Sequence, residues 1–273
     1  MRNLLYIAAL LIVGCSKPTM DDAFIAPTMT QTDEITDNTA PDTSEPTTTT
    51  PQTAVATGTR LDFVGGYVIR TEDADPKGNV TYTNEVYPDE NFKLVAYSVG
   101  DGYGYEEGVI QGEVDEFIFA EFTTFEYNDR TFEVEVPLAQ HIPYYKAQWD
   151  LAKADMAGTD GGDYDDRFVI LQPRNYFFGA VAFEDFTVYR TSAFERGVIL
   201  HEIGHVWSLR NSSPVNWDEW SVLMQNNHVS DYGASALTEY FAEAFAHHFL
   251  VKAGDPYHSI PDEVREKLES YGL

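Results

Sequence analysis

The hydrophobic pattern of this chain changes period near its middle. Residues 61–70, 91–99, 116–125 and 130–136 are rich in Val, Phe, Tyr and Thr, with Gly, Asp, Asn and Pro between them, which predicts a series of β-strands. The stretch Asp101-Gly102-Tyr103-Gly104-Tyr105 reads as a turn or loop. A helix is predicted over 142–153, then a loop over 155–166 with five Asp and three Gly, then strands over 167–172 and 178–189. Helices dominate from there on. Ile199, Ile203, Val206 and Trp207 recur at the i, i+4, i+7, i+8 spacing of a buried helix face. Leu237, Phe241, Ala244, Phe245 and His248 form a second such stripe over 237–250. Strands first and helices afterwards predict an α+β fold.

The start of the chain follows other rules. Arg2 precedes an apolar run over 4–13 that ends at Gly14-Cys15. A bilayer-spanning helix needs about 20 apolar residues, so this run is read as a secretory signal rather than a permanent span. Ile12-Val13-Gly14-Cys15 resembles the bacterial lipobox, in which the Cys thiol is lipidated and becomes the new N-terminus. That resemblance implies a lipid anchor on Cys15 in a bacterial membrane, facing the periplasm or the cell exterior. Ser16 in place of Asp resembles the pattern of lipoproteins forwarded to an outer membrane. Residues 21–58 hold twelve Thr, four Pro and seven acidic residues with no Lys or Arg. Such a stretch buries too little to offset its ordering entropy and is expected to be a disordered tether.

Composition narrows the function. With 45 acidic against 17 basic residues, a net charge of −28 and no basic cluster, the chain repels phosphate backbones, which excludes a nucleic-acid partner. The first 58 residues supply only −5 of that charge, so −23 belongs to the folded remainder. A single Cys leaves no intrachain disulfide and no Cys-rich zinc site. Any metal must be held by His and carboxylates. The aspartate loop of 155–166 has the chemistry for calcium, although its order does not follow the EF-hand spacing.

The motif that carries chemistry is His201-Glu202-Ile203-Gly204-His205. Two His four residues apart lie about 40° apart around a helix, so both rings can close on one metal. Glu202 shares their arc, opposite the apolar stripe. A metzincin would carry Gly and His at positions 208 and 211, where this chain has Ser208 and Asn211, so that subclass is excluded. A carboxylate from a later helix is the alternative. Glu239 and Glu243 sit i, i+4 on the helix predicted over 237–250, and two carboxylates on a largely apolar helix are costly unless a cation or donors meet them. His228, His247 and His248 compete as ligands. His248 falls on the apolar stripe, as a core residue would, and the other two have no partner at ligand spacing.

The run from Ser230 through Tyr232-Gly233 to Glu239-Tyr240-Phe241-Ala242-Glu243-Ala244-Phe245 resembles the corresponding segment of the anthrax lethal factor type of zinc metallopeptidase, a gluzincin. The two matching blocks cover about a fifth of the chain, between residues 194 and 250. The resemblance implies a zincin-like domain over 137–273, with a mixed sheet and an active-site helix pair. It also implies zinc as the cofactor, His201, His205 and Glu239 as its ligands, Glu202 as general base and Tyr232 as the catalytic phenol. Glu243 is then read as accepting a hydrogen bond from a zinc His and fixing its tautomer. The domain order becomes a signal over 1–14, a tether over 15–59, a β-rich region over 60–136 and the peptidase domain over 137–273. The β-rich region is either a separate small domain or the first sheet of the domain that follows. Residues 178–183, with Gly179 and Ala180, are read either as an edge strand that pairs with an extended peptide or as an ordinary core strand. The expected function is an anchored zinc endopeptidase acting on a peptide or protein substrate. The alternative is a surface binding or adhesion module that keeps the fold without the activity.

Overall fold

The computed structural model of the chain describes residues 58–99, 102–159, 167–175, 178–183, 185–211 and 214–273. The signal and Cys15, residues 15–57 of the tether and most of the aspartate loop lie outside the described residues. Of that loop, Asp155 is described, and its carboxylate accepts a hydrogen bond from Arg196 Nε at 2.5 Å.

The first half of the chain is built of strands: β1 Thr59–Phe63, β2 Gly66–Ala74, β3 Val80–Pro88, β4 Phe92–Val99, β5 Gly102–Gly104, β6 Val109–Gln111, β7 Glu116–Tyr127 and β8 Arg130–Glu135. Helix α1 Ile142–Asp155 precedes β9 Arg167–Leu171, β10 Ala180–Ala182 and β11 Phe186–Arg190. Helices α2 Arg196–Arg210, α3 Trp217–Asn226, α4 Leu237–Lys252 and α5 Asp262–Glu269 complete the described chain. It is an α+β fold, the class expected from the order of elements.

Strands β1, β2, β3 and β6 form a four-stranded antiparallel sheet. The other seven form a mixed sheet in the order β10-β11-β9-β8-β7-β4-β5, parallel at β8–β9 and β9–β11 and antiparallel elsewhere. Parallel neighbours need a long crossover, and α1 lies in the one from β8 to β9. At residue 136, the expected limit of the β-rich region, the chain leaves β8 for a 3-10 turn over Val136–His141, and β8 and β9 on either side of that turn are hydrogen-bonded neighbours in the mixed sheet. The small sheet packs Val68 and Ile110 against Leu94 of β4 and Phe117 of β7.

Several strands differ from the pattern reading. The strand expected over 61–70 is a hairpin, because the chain turns at Val64-Gly65 and Gly65 takes a positive φ of 90°, which glycine adopts without steric cost. The strand expected over 178–189 is likewise two strands, β10 and β11, paired antiparallel. Gly102–Gly104, expected as loop, forms β5 against β4. β3 lies outside the expected strands, although its Val, Tyr and Thr have β character.

The central strand β9 is buried on both faces. Alternation along it sends Phe168 and Ile170 into the core shared with α1, α2 and α4, and Val169 and Leu171 into a second cluster on the other face. Phe168 meets Phe132, Trp149, Tyr189 and Phe194 edge-on, at centroid distances of 5.3, 5.3, 5.7 and 5.6 Å. Such contacts add to the stabilisation from burial itself. No helix among the described residues is long and apolar enough to cross a membrane. Phe168→Ala is expected to cost about 3–5 kcal/mol of stability, read as a lowered denaturant midpoint with an unchanged slope.

Candidate metal centre

Helix α2 enters the core directly after β11 and a 3-10 turn over Thr191–Ala193. Ile199, Ile203, Val206 and Trp207 are all buried in that core. With that side of the helix committed to packing, His201 and His205 face α4. What allows α4 close is Gly204: a Cβ there would lie 3.0 Å from the Cβ of Phe245 and 3.1 Å from the Cα of Ala242. Any larger side chain would hold the two helices apart.

Across this crossing three donor atoms converge. His201 Nε2 lies 3.1 Å from Glu239 Oε2 and 3.1 Å from His205 Nε2, and His205 Nε2 lies 3.4 Å from Glu239 Oε2. Four ligands set tetrahedrally at bonds of about 2.0–2.1 Å stand about 3.3–3.4 Å from one another, so these three separations match the edges of one face of such a site. His201, His205 and Glu239 therefore form a group that could hold a metal ion.

The protons support the same view. His201 Nδ1 lies 2.8 Å from Glu243 Oε1. A carboxylate only accepts, so Nδ1 carries the proton, and a metal standing between Nε2 and Glu239 would find the Nε2 lone pair of a neutral ring. Burial pushes the Glu243 carboxyl up, and hydrogen bonds with His201 and Ser230 outweigh it and hold the group below the ordinary carboxylate range. Burial likewise pushes Glu239 up, but its bonds to His201 and His205 and their charge bring it down to about 2. Glu239 also sits in the first turn of α4, where the helix dipole favours an anion.

Glu202 lies on α2 between the two histidines. It is 0% exposed, and neither carboxylate oxygen has a hydrogen-bond partner among the described residues. A buried carboxylate with no donor costs several kcal/mol, a cost that a cation with its water would remove. Tyr232 arrives by a separate route. It precedes a 3-10 turn over Gly233–Ser235, and Ser230 Oγ accepts a 2.8 Å hydrogen bond from the Gly233 N–H. Gly233 has no room for a side chain to spare, since a Cβ there would lie 3.2 Å from Ser230 Oγ and 3.3 Å from Glu243 Cβ. The turn is thus pressed against α4, and the Tyr232 ring comes within 5.8 Å of the His201 ring, centroid to centroid.

The competing histidines are placed elsewhere. His228 is exposed and 3.4 Å from Asp231. His248 is buried away from the group. His247 Nδ1 faces the Ser259 carbonyl at 2.9 Å. Ser230 and Gly233 belong to the run that carries the resemblance, but the pattern assigns neither a role, because their roles depend on contacts with a helix that follows them in the chain. Nor does the pattern announce a cavity of about 750 Å³ that opens beside His201, Tyr232 and Glu243.

No protein-family model matches this chain, and no curated protein matches it. The chain is expected to bind one equivalent of a divalent transition metal by calorimetry, with binding lost in His201→Ala and Glu239→Gln. Glu243→Gln should weaken it about 10–100-fold by freeing the His201 ring.

Proposed function

We propose that this protein is a zinc metallopeptidase of the gluzincin kind, with a zincin-like fold, which hydrolyses peptide bonds outside the cytoplasmic membrane while tethered to a bacterial membrane by a lipid on Cys15. The observation that carries the reading is the convergence of His201 Nε2, His205 Nε2 and Glu239 Oε2 beside a buried Glu202 with no partner among the described residues. Two imidazoles and one carboxylate at tetrahedral separations suit zinc and leave a coordination position open for chemistry.

When bound, zinc supplies Lewis acidity, polarising a peptide carbonyl and lowering the pKa of water towards 7. The residues of the chain do the rest. Glu202, held away from bulk solvent, takes the proton from the attacking water on a carboxylate oxygen and returns it to the leaving amine nitrogen. The Tyr232 hydroxyl donates a hydrogen bond to the substrate oxygen as negative charge grows there. Glu243 keeps the Nδ1 proton on His201 and so keeps Nε2 available. β10, outermost in the mixed sheet among the described residues, offers its edge to an extended peptide. The alternative of an inactive binding module is disfavoured by Glu202, which such a module would retain at an energetic cost with no use for it.

A digest of a peptide library tests the reading. The wild type is expected to cut peptides, and a chelator to stop it. Glu202→Gln should abolish turnover while retaining one zinc by metal analysis, and loss of zinc from that variant would count against the assigned role. Tyr232→Phe should lower kcat about 100- to 1000-fold, also with zinc retained.

A further inference from the structure

We infer that the cavity beside His201 is a recognition site for a long-stemmed organic cation: an ammonium or guanidinium group of the peptide substrate. The identity of the ligand's carrier rests on the peptidase reading, whereas the cation preference rests on the cavity itself.

The cavity lies between the start of α2, the middle of α4 and the loop after α4, and its volume of about 750 Å³ is in the range of ligand sites. Val198, Ala246 and Leu250 give it an apolar wall. Its charged lining is three carboxylates, Glu195, Glu243 and Asp255, against one guanidinium, Arg196. That guanidinium already donates to Asp155. Glu195 occupies the N-cap of α2 but makes no capping hydrogen bond to it, so its carboxylate is not spent on the helix. The Tyr257 backbone N–H and the His258 ring hold Asp255 below the ordinary carboxylate range.

One histidine adds an acceptor. His247 Nδ1 lies 2.9 Å from the carbonyl of Ser259, and a carbonyl only accepts, so Nδ1 carries the proton and Nε2 of the neutral ring is left as an acceptor. His258 lines the cavity beside Asp255, its Nδ1 3.1 Å from Asp255 Oδ1. A space bounded by acceptors on one side and aliphatic carbon on the other suits a ligand with several N–H donors on a hydrocarbon stem. An anion would meet three carboxylates. A bare metal ion would lack ligands, because no group of three donors other than His201, His205 and Glu239 converges among the described residues. The net charge of −28 also raises the local concentration of cations. Six residues of helix separate Glu195 from His201, a rise of about 9 Å, so a cation held near Glu195 belongs to a group close to the scissile bond.

The test uses the full chain loaded with zinc. Positional peptide libraries carry Lys, Arg or norleucine at each site, with free or acetylated N-termini. Lys or Arg at one position is expected to raise kcat/KM about ten-fold over norleucine, and Glu195→Gln and Asp255→Asn should each lower that ratio about three-fold. A preference removed by acetylation belongs to the α-ammonium, which has no stem, and would overturn the inference, as would equal cleavage of all three side chains with either N-terminus. If no peptide is cut, the peptidase reading fails, and binding decides the cavity separately. Nα-acetyl-lysine amide carries its ammonium on a hydrocarbon stem, norleucine amide carries one on its α-carbon, and acetyl-norleucine amide carries none. Tighter binding of Nα-acetyl-lysine amide than of the other two, followed at the His247 and His258 resonances, supports the site, while equal or absent binding of all three, or binding of norleucine amide at least as tight, overturns it.

Discussion

Everything at the candidate centre depends on how closely α2 and α4 cross. Interiors pack as densely as organic crystals, and the separation of two helices is set by the side chains at their contact. Here the contact residue on α2 is glycine, and the neighbours it meets are the backbone of Ala242 and the Cβ of Phe245. That closeness lets a carboxylate from the first turn of α4 reach both ring nitrogens on α2. The surrounding aromatic packing of Trp207, Phe241, Trp217 and Trp220 holds the crossing from the far side. The spacing of the three donor atoms is therefore set by the core as much as by the residues that carry them.

The carboxylates of the protein divide into two kinds. On β8, Glu133 is met by Lys93 at 2.7 Å and Arg167 at 2.8 Å. Glu135 is met by Arg174 and by the Gln172 N–H. These groups are buried with their donors in place, as a structural ion pair must be. Glu202 is buried with none. The distinction matters because an acidic chain has many carboxylates, and burial without a donor sets Glu202 apart from those held in structural ion pairs. Glu243 stands between the kinds, since it meets His201 on one oxygen and has His247 Nε2 3.8 Å from the other. It links the metal group to the cavity.

Much of the fold was legible in the residue pattern. β4, β7, β8, α1, α2 and α4 follow periodicities that depend on neighbours two to four residues away. Two of the failures share a cause. A turn needs only one or two residues, so Val64-Gly65 and the break between β10 and β11 are hidden inside continuous β-prone runs. The short strand β5 exists because β4 offers it an edge, which nothing in Gly-Tyr-Gly announces. The mixed sheet takes strands from both halves of the chain, and pairing between β8 and β9 spans more than thirty residues, beyond the reach of any local pattern.

The sequence by itself determined that two imidazoles share one helical face with a carboxylate between them, because that follows from 3.6 residues per turn alone. It also determined the acidity of the chain and its single thiol. Local spacing leaves Glu239 and Glu243 equivalent; the resemblance assigns Glu239 to the group and Glu243 to the orienting of His201, and the tertiary structure brings their oxygens to 3.1 and 2.8 Å from that ring. Only the tertiary structure could leave Glu202 without a donor and enclose a cavity between the start of α2 and the loop after α4. Those outcomes depend on the distance and angle between helices, which are set by packing among residues far apart in the chain.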